Sequence, residues 1–63
     1  MKKDNNFRID ITYNNGILTT EHCNNSNCIN AYFDKIQNEN KHVKIAIYDN
    51  KNRCLRYWDN LQK

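Results

Sequence analysis

Three cysteines and two histidines are the residues of this 63-residue chain best suited to chemistry: Cys23, Cys28 and Cys54, with His22 and His42. Thiolates and imidazoles are the usual ligands of structural zinc. The spacing here argues against zinc. Four residues separate Cys23 from Cys28, wider than the common two-residue spacer, and no second close pair follows. His22 and Cys23 point to opposite sides if both lie on one strand. No metal and no cofactor is therefore expected. A Cys23–Cys28 disulfide would need a tightly folded loop, and so short a ring stabilises little, on the order of 2–3 kcal/mol at most. An odd number of cysteines fits a reducing cytosol better than a secreted disulfide framework. Free thiols in the cytoplasm of a bacterial host are the expectation.

Nucleophilic and acid–base chemistry fare no better. Ser26 has no His and orienting acid that can be placed beside it, and it reads as a helix cap. Asp10 and Glu21 are neighbours at most on a flat surface, which neither excludes water nor moves carboxyl pKa values far. Gly16 is the only glycine, so no glycine-rich phosphate loop exists. An enzyme is not expected, and no catalytic residue is assigned.

The elements that would hold these residues follow from periodicity. Phe7–Tyr13 alternates strictly between apolar and polar, the pattern of a half-buried strand. Asn14-Asn15-Gly16 is a hairpin signal, and 17–22 reads as the return strand. Two-residue loops, Asn14-Asn15 or Asn15-Gly16, put Leu18, Thr20 and His22 on the side of Ile9 and Ile11. A three-residue loop ranks last, because it turns Ile17, Thr19 and the Glu21 carboxylate towards the core. In 26–39, Cys28, Ile29, Tyr32, Phe33 and Ile36 share one helical face. Val43–Tyr48 alternates again, Asp49-Asn50-Lys51-Asn52 has turn chemistry, and Arg53–Trp58 completes a second hairpin. Val43, Ile45 and Ile47 with Leu55 and Tyr57 are the expected core positions of that hairpin.

The expected fold is one small α+β domain spanning 1–63: a flexible N-terminus over 1–6, a hairpin over 7–22, a helix over 26–39 and a hairpin over 43–58. In this ββαββ order a four-stranded antiparallel sheet carries one helix on one face. Seven isoleucines and seven aromatic residues suffice for a compact core. A chain near 60 residues buries only about 60% of its unfolded surface, so that core is thin. Asparagine supplies 13 residues and clusters where turns are needed, where it tolerates the left-handed region and closes Asx-turns. No run is apolar enough to span a membrane. The charged start, Met1-Lys2-Lys3-Asp4, lacks the apolar segment of a signal peptide.

A single helix leaves the other side of the sheet uncovered. Plain alternation assigns that side Arg8, Asp10, Thr12, Ile17, Thr19, Glu21, Lys44, Ala46, Tyr48, Cys54, Arg56 and Trp58. Trp58 and Tyr48 are expected as anchors there, with Arg56, Lys44, Arg8 and Ile17 around them, because large aromatics with a polar tip are favoured at interfaces. The expected function is a small binding module that occupies a host protein, a nuclease or nucleoprotein complex in particular. Small inhibitors of bacterial defence, such as anti-CRISPR proteins of phages and mobile elements, are the analogy of size and style. Self-association through the same face is a frequent companion. Single-stranded nucleic acid is the alternative partner, with bases stacked on the aromatics and phosphates held by Lys44, Arg8 and Arg56. The net charge of +3 supports that alternative weakly, and it disfavours mimicry of DNA.

Overall fold

The computed structural model describes residues 6–61. Four strands and one helix follow in the order β1 (Phe7–Tyr13), β2 (Leu18–Cys23), α1 (Ser26–Glu39), β3 (Val43–Tyr48) and β4 (Cys54–Asp59). All strand pairings are antiparallel in a single sheet ordered β2-β1-β3-β4. The α+β, ββαββ expectation holds, and each hairpin adds its second strand at an outer edge. The expectation of a flexible 1–6 segment falls, for residues 1–5, outside the described residues.

The two inner strands hold the core. Ile9 and Ile11 pair with Ile47 and Ile45 across the β1–β3 junction, and with Val43 they form an apolar floor. Ile29, Phe33 and Ile36 of α1 close over it. Their spacing of i, i+4 and i+7 keeps them on one side of the helix. Tyr32 packs beside this cluster, but Cys28 is exposed and is not part of the helix's buried face, as its position on the apolar stripe had suggested. Asn25 caps the helix: its Oδ1 accepts the Cys28 backbone N–H at 2.7 Å. The cap is thus one residue before Ser26, which is the first helical residue. At the other end both the backbone N–H and the side-chain amide of Asn40 donate to the Ile36 carbonyl, satisfying a terminal oxygen.

Both hairpins use three-residue loops. In the first, Gly16 N–H donates to the Tyr13 carbonyl and Tyr13 N–H to the Ile17 carbonyl. In the second, Asn52 N–H donates to the Asp49 carbonyl and Asp49 N–H to the Arg53 carbonyl. The last loop residue is left-handed in each, Gly16 at φ 93° and Asn52 at φ 65°. This is the three-residue hairpin with a left-handed bulge residue. It corrects the expected two-residue loop at Asn14–Gly16. A two-residue type I′ loop would hold two residues left-handed, at least one of them asparagine, whereas this loop gives that conformation to glycine alone.

The consequence is a flip of β2. Ile9 now lies opposite Glu21 and Ile11 opposite Thr19, so Glu21, Thr19 and Cys23 share the helix side. Leu18, Thr20 and His22 turn to the open side, opposite Thr12, Asp10 and Arg8. The objection to a core-facing carboxylate does not apply, because β2 is an edge strand and Glu21 reaches solvent there.

β4 flips as well, for a different reason. Tyr48 pairs with Cys54 but Ile47 pairs with Arg56, leaving Leu55 as an extra residue in a β-bulge. From Arg56 onward every side chain changes face. Arg56 and Trp58 lie on the helix side, while Leu55 and Tyr57 are exposed and are not core residues. No part of the α1 backbone approaches β4 closely, since the helix sits over β1, β3 and β2. Only long side chains bridge that gap, which suits Arg56 and Trp58 and not Leu55. Among the described residues no helix is long and apolar enough to cross a membrane.

Candidate functional site

The open face of the sheet is built as three rows that run from β2 through β1 and β3 to β4. The first is Leu18, Thr12, Lys44 and Asp59; the second is Thr20, Asp10, Ala46 and Tyr57; the third is His22, Arg8, Tyr48 and Cys54. Alternation on the two inner strands puts Arg8, Asp10, Thr12, Lys44, Ala46 and Tyr48 there, as expected. The register of the outer strands supplies the rest.

Of the six residues expected as partner contacts, Arg8, Lys44 and Tyr48 occupy the open face. Three do not. Trp58 pairs with Ile45 and packs against the hydrophobic cluster under the helix side. Arg56 reaches under the helix flank, where its guanidinium lies 3.9 Å from the centre of the Phe33 ring. It donates to Asn30 Oδ1 at 2.9 Å and to Asp34 Oδ1 at 3.0 Å. Ile17 sits in the turn opposite Tyr13, and although 54% exposed it belongs to the helix side of the register. Thr19 and Glu21 leave the open face with it.

The open-face residues that alternation missed are Tyr57, Leu18, His22 and Asp59. Leu18 is 63% exposed, Tyr57 57% and Leu55 53%. The helix held one sequence signal for the β4 flip. Asn30 and Asp34 are one turn apart beside Phe33, a polar flank that accepts a long cation.

Local contacts hold the middle of the face in a defined arrangement. The Arg8 guanidinium lies 4.5 Å from the Tyr48 ring centre, within cation–π range. Arg8 Nε also lies 3.3 Å from Asp10 Oδ1, an ion pair without an aligned hydrogen bond. Thr20 Oγ1 donates to the same Asp10 oxygen at 3.1 Å. Tyr57 donates its hydroxyl to Asp59 Oδ2 at 3.3 Å. Partial desolvation, then the Asp59 charge, push the Tyr57 phenol above its usual range.

Electrostatically the face is balanced: Arg8 and Lys44 are offset by Asp10 and Asp59. At the Arg8 and His22 end it opens into a depression of about 480 Å³ lined by Asn6, Phe7, Arg8, His22, Asp49, Asn50 and Asn52. The one carboxylate there is committed elsewhere. Asp49 Oδ1 accepts the backbone N–H groups of Lys51 and Arg53, each at 2.9 Å, and Oδ2 accepts Arg53 Nε at 2.8 Å. Those bonds, led by the Arg53 backbone N–H, hold the Asp49 carboxyl below its ordinary range. Asp49 is therefore a turn-forming anion and a poor proton acceptor.

Comparison with protein-family models, curated proteins and solved structures finds no match for this chain.

Proposed function

We propose that the chain is a small non-enzymatic binding module that docks onto another protein through the open face of its sheet. The observation that carries this reading is the make-up of that face. Exposed Leu18 and Tyr57 flank a pre-arranged centre of Arg8, Tyr48 and Asp10. Tyrosine and arginine are enriched in the energetic centres of protein interfaces. Alternating signs give register with a protein surface of complementary pattern. The same balance opposes a polyphosphate partner, since nucleic acid binding draws on an excess of cations. A standard interface covers about 800 Å² per partner. That is about a fifth of the 4403 Å² surface, which one broad face of so small a domain can supply. Occlusion of a host nuclease or nucleoprotein complex, as a mobile-element inhibitor acts, is the use we propose for this face.

Site-specific photocrosslinking tests the reading. A benzophenone side chain at Tyr57 probes the open face, and one at Lys35, exposed on the helix, is the control. Irradiation in the source cell should yield a discrete adduct with another protein from position 57 and not from position 35. The double variant Leu18→Asp, Tyr57→Asp should stay folded, because both side chains are exposed, and should lose the partner. Identical adduct patterns from both positions overturn the proposal. So does crosslinking of position 57 only to nucleic acid, or only to a second copy of the chain.

A further inference from the structure

The docking reading leaves two cysteines unused. Cys23 ends β2 on the helix side, opposite Phe7, and packs against the core. Cys28 stands in the first turn of α1. Asn25, lying between them in the chain, folds the connection back by accepting the Cys28 backbone N–H. The Cys28 and Cys23 sulfurs then lie 2.7 Å apart, closer than two unbonded thiols ordinarily approach. Bonded sulfurs lie about 2.05 Å apart, so closure needs only a small movement of the two side chains. The pair is unequal in access: Cys28 is exposed and Cys23 half-buried. Burial first, then the contact with Cys28 and the Glu21 charge, push the Cys23 thiol up to about 11. Cys54 pairs with Tyr48 on the opposite face of the sheet and is out of reach of both.

We propose that Cys23 and Cys28 are a reversible dithiol–disulfide site, closed by exchange with a low-molecular-weight disulfide. The accessible Cys28 thiolate attacks one sulfur of the small disulfide. That S–S bond breaks, and the departing small thiolate takes up the proton that Cys28 released. Cys23, deprotonated in its turn, attacks the Cys28 sulfur of the mixed disulfide. The mixed bond breaks, and the second small thiolate leaves and is protonated. In total two protein thiols are oxidised to one intramolecular disulfide, and one small disulfide is reduced to two thiols. A reducing thiol pool runs the exchange backwards.

Closure acts where packing is thin. In β2 only Thr19 and Cys23 are even partly buried. The bond ties the C-terminal end of this edge strand to the first turn of the helix, so the oxidised chain holds β2 more firmly against α1.

The test uses the full chain, first reduced and then incubated with excess oxidised glutathione, acid-quenched, alkylated and digested with trypsin. Cleavage after Arg8 and Lys35 leaves both cysteines in one peptide, 9–35, while Cys54 falls in 54–56. The expected result is a 9–35 peptide that takes up no alkyl group and is lighter by about 2 Da than the dithiol form. Peptide 54–56 should be alkylated or carry glutathione. Cys54→Ser should leave closure intact, and its oxidised form should melt several degrees above its reduced form. A doubly alkylated 9–35 peptide overturns the proposal, as does glutathione retained on Cys28 beside a free Cys23. Equal melting of the two forms of Cys54→Ser overturns the anchoring of β2.

Discussion

The inner strands β1 and β3 and the outer strands β2 and β4 are built on different terms. Ile9, Ile11, Val43, Ile45 and Ile47 are buried to within 1% of completeness, and Ala46 is buried from the open side. Neither β2 nor β4 contributes a fully buried residue. An inner strand has backbone partners on both edges and the helix above it, so any shift in its register would expose a row of isoleucines. An outer strand has one backbone partner, and β4 also lies beyond the reach of the helix backbone. Its register is set by its turn and by single long side chains, so its surface composition is free to vary. Stability is therefore concentrated in the centre of the sheet, and the exposed apolar residues proposed to meet a partner, Leu18 and Tyr57, come from its margins.

The largest effect expected from this contrast is at the centre. Ile45→Ala should remove about 2–5 kcal/mol. A core this small supplies roughly 3–5 kcal/mol in all, so urea unfolding should show a population already partly unfolded without denaturant. A loss below about 1 kcal/mol would break the contrast. Next comes the loop that flips β2. Gly16→Ala should cost about 1–2 kcal/mol, because alanine has to hold a left-handed backbone there. Nothing lies within 4 Å of the added methyl, so the loss measures conformation and not crowding.

Arg56→Ala tests the flip of β4. The loss of the Asp34 ion pair and the Phe33 contact should cost about 1 kcal/mol, and lysine should restore only part of it. A neutral result would mean that Arg56 lies on the open side, as plain alternation has it. Smaller still, Leu18→Ser should shift the urea midpoint by no more than the equivalent of about 0.5 kcal/mol, although it replaces a leucine in a strand. The last effect is a pH dependence in the second turn. The Asp49 carboxyl is held below its unfolded value, so the stability it adds is complete above the ordinary carboxylate range. It is lost as pH falls through the folded value. Urea midpoints taken down to a pH of about 2 should fall more steeply for the natural chain than for Asp49→Asn.

The legible part of the fold was the part with redundant signals. Alternation in β1 and β3 picks out the buried Ile9, Ile11, Val43, Ile45 and Ile47, and the apolar stripe of α1 picks out Ile29, Phe33 and Ile36; Ala46, buried on the open side, and Cys28, exposed, are the exceptions. Element order and the helix span followed from them. Three of the six expected contacts, Arg8, Lys44 and Tyr48, stayed in place because they ride on inner strands. Trp58 and Arg56 moved because one bulged residue, Leu55, inverts everything after it. Ile17 moved because a loop one residue longer inverts β2. Alternation carries no information about the phase between strands, and neither outer strand holds enough apolar residues to impose one.

From its amino acids alone the chain dictates which segments are strands and which is helix, and which isoleucines must be hidden. Those choices rest on local periodicity and on the free energy of burying apolar side chains, both of which act within a segment. Which residues of β2 and β4 face the open side was decided only when the segments met. Gly16 took the left-handed position, the helix stopped short of β4, and the Asn30–Asp34 flank gave Arg56 a place to bind. Each is a relation between distant residues. A strand whose faces differ little in hydrophobicity takes its phase from such relations.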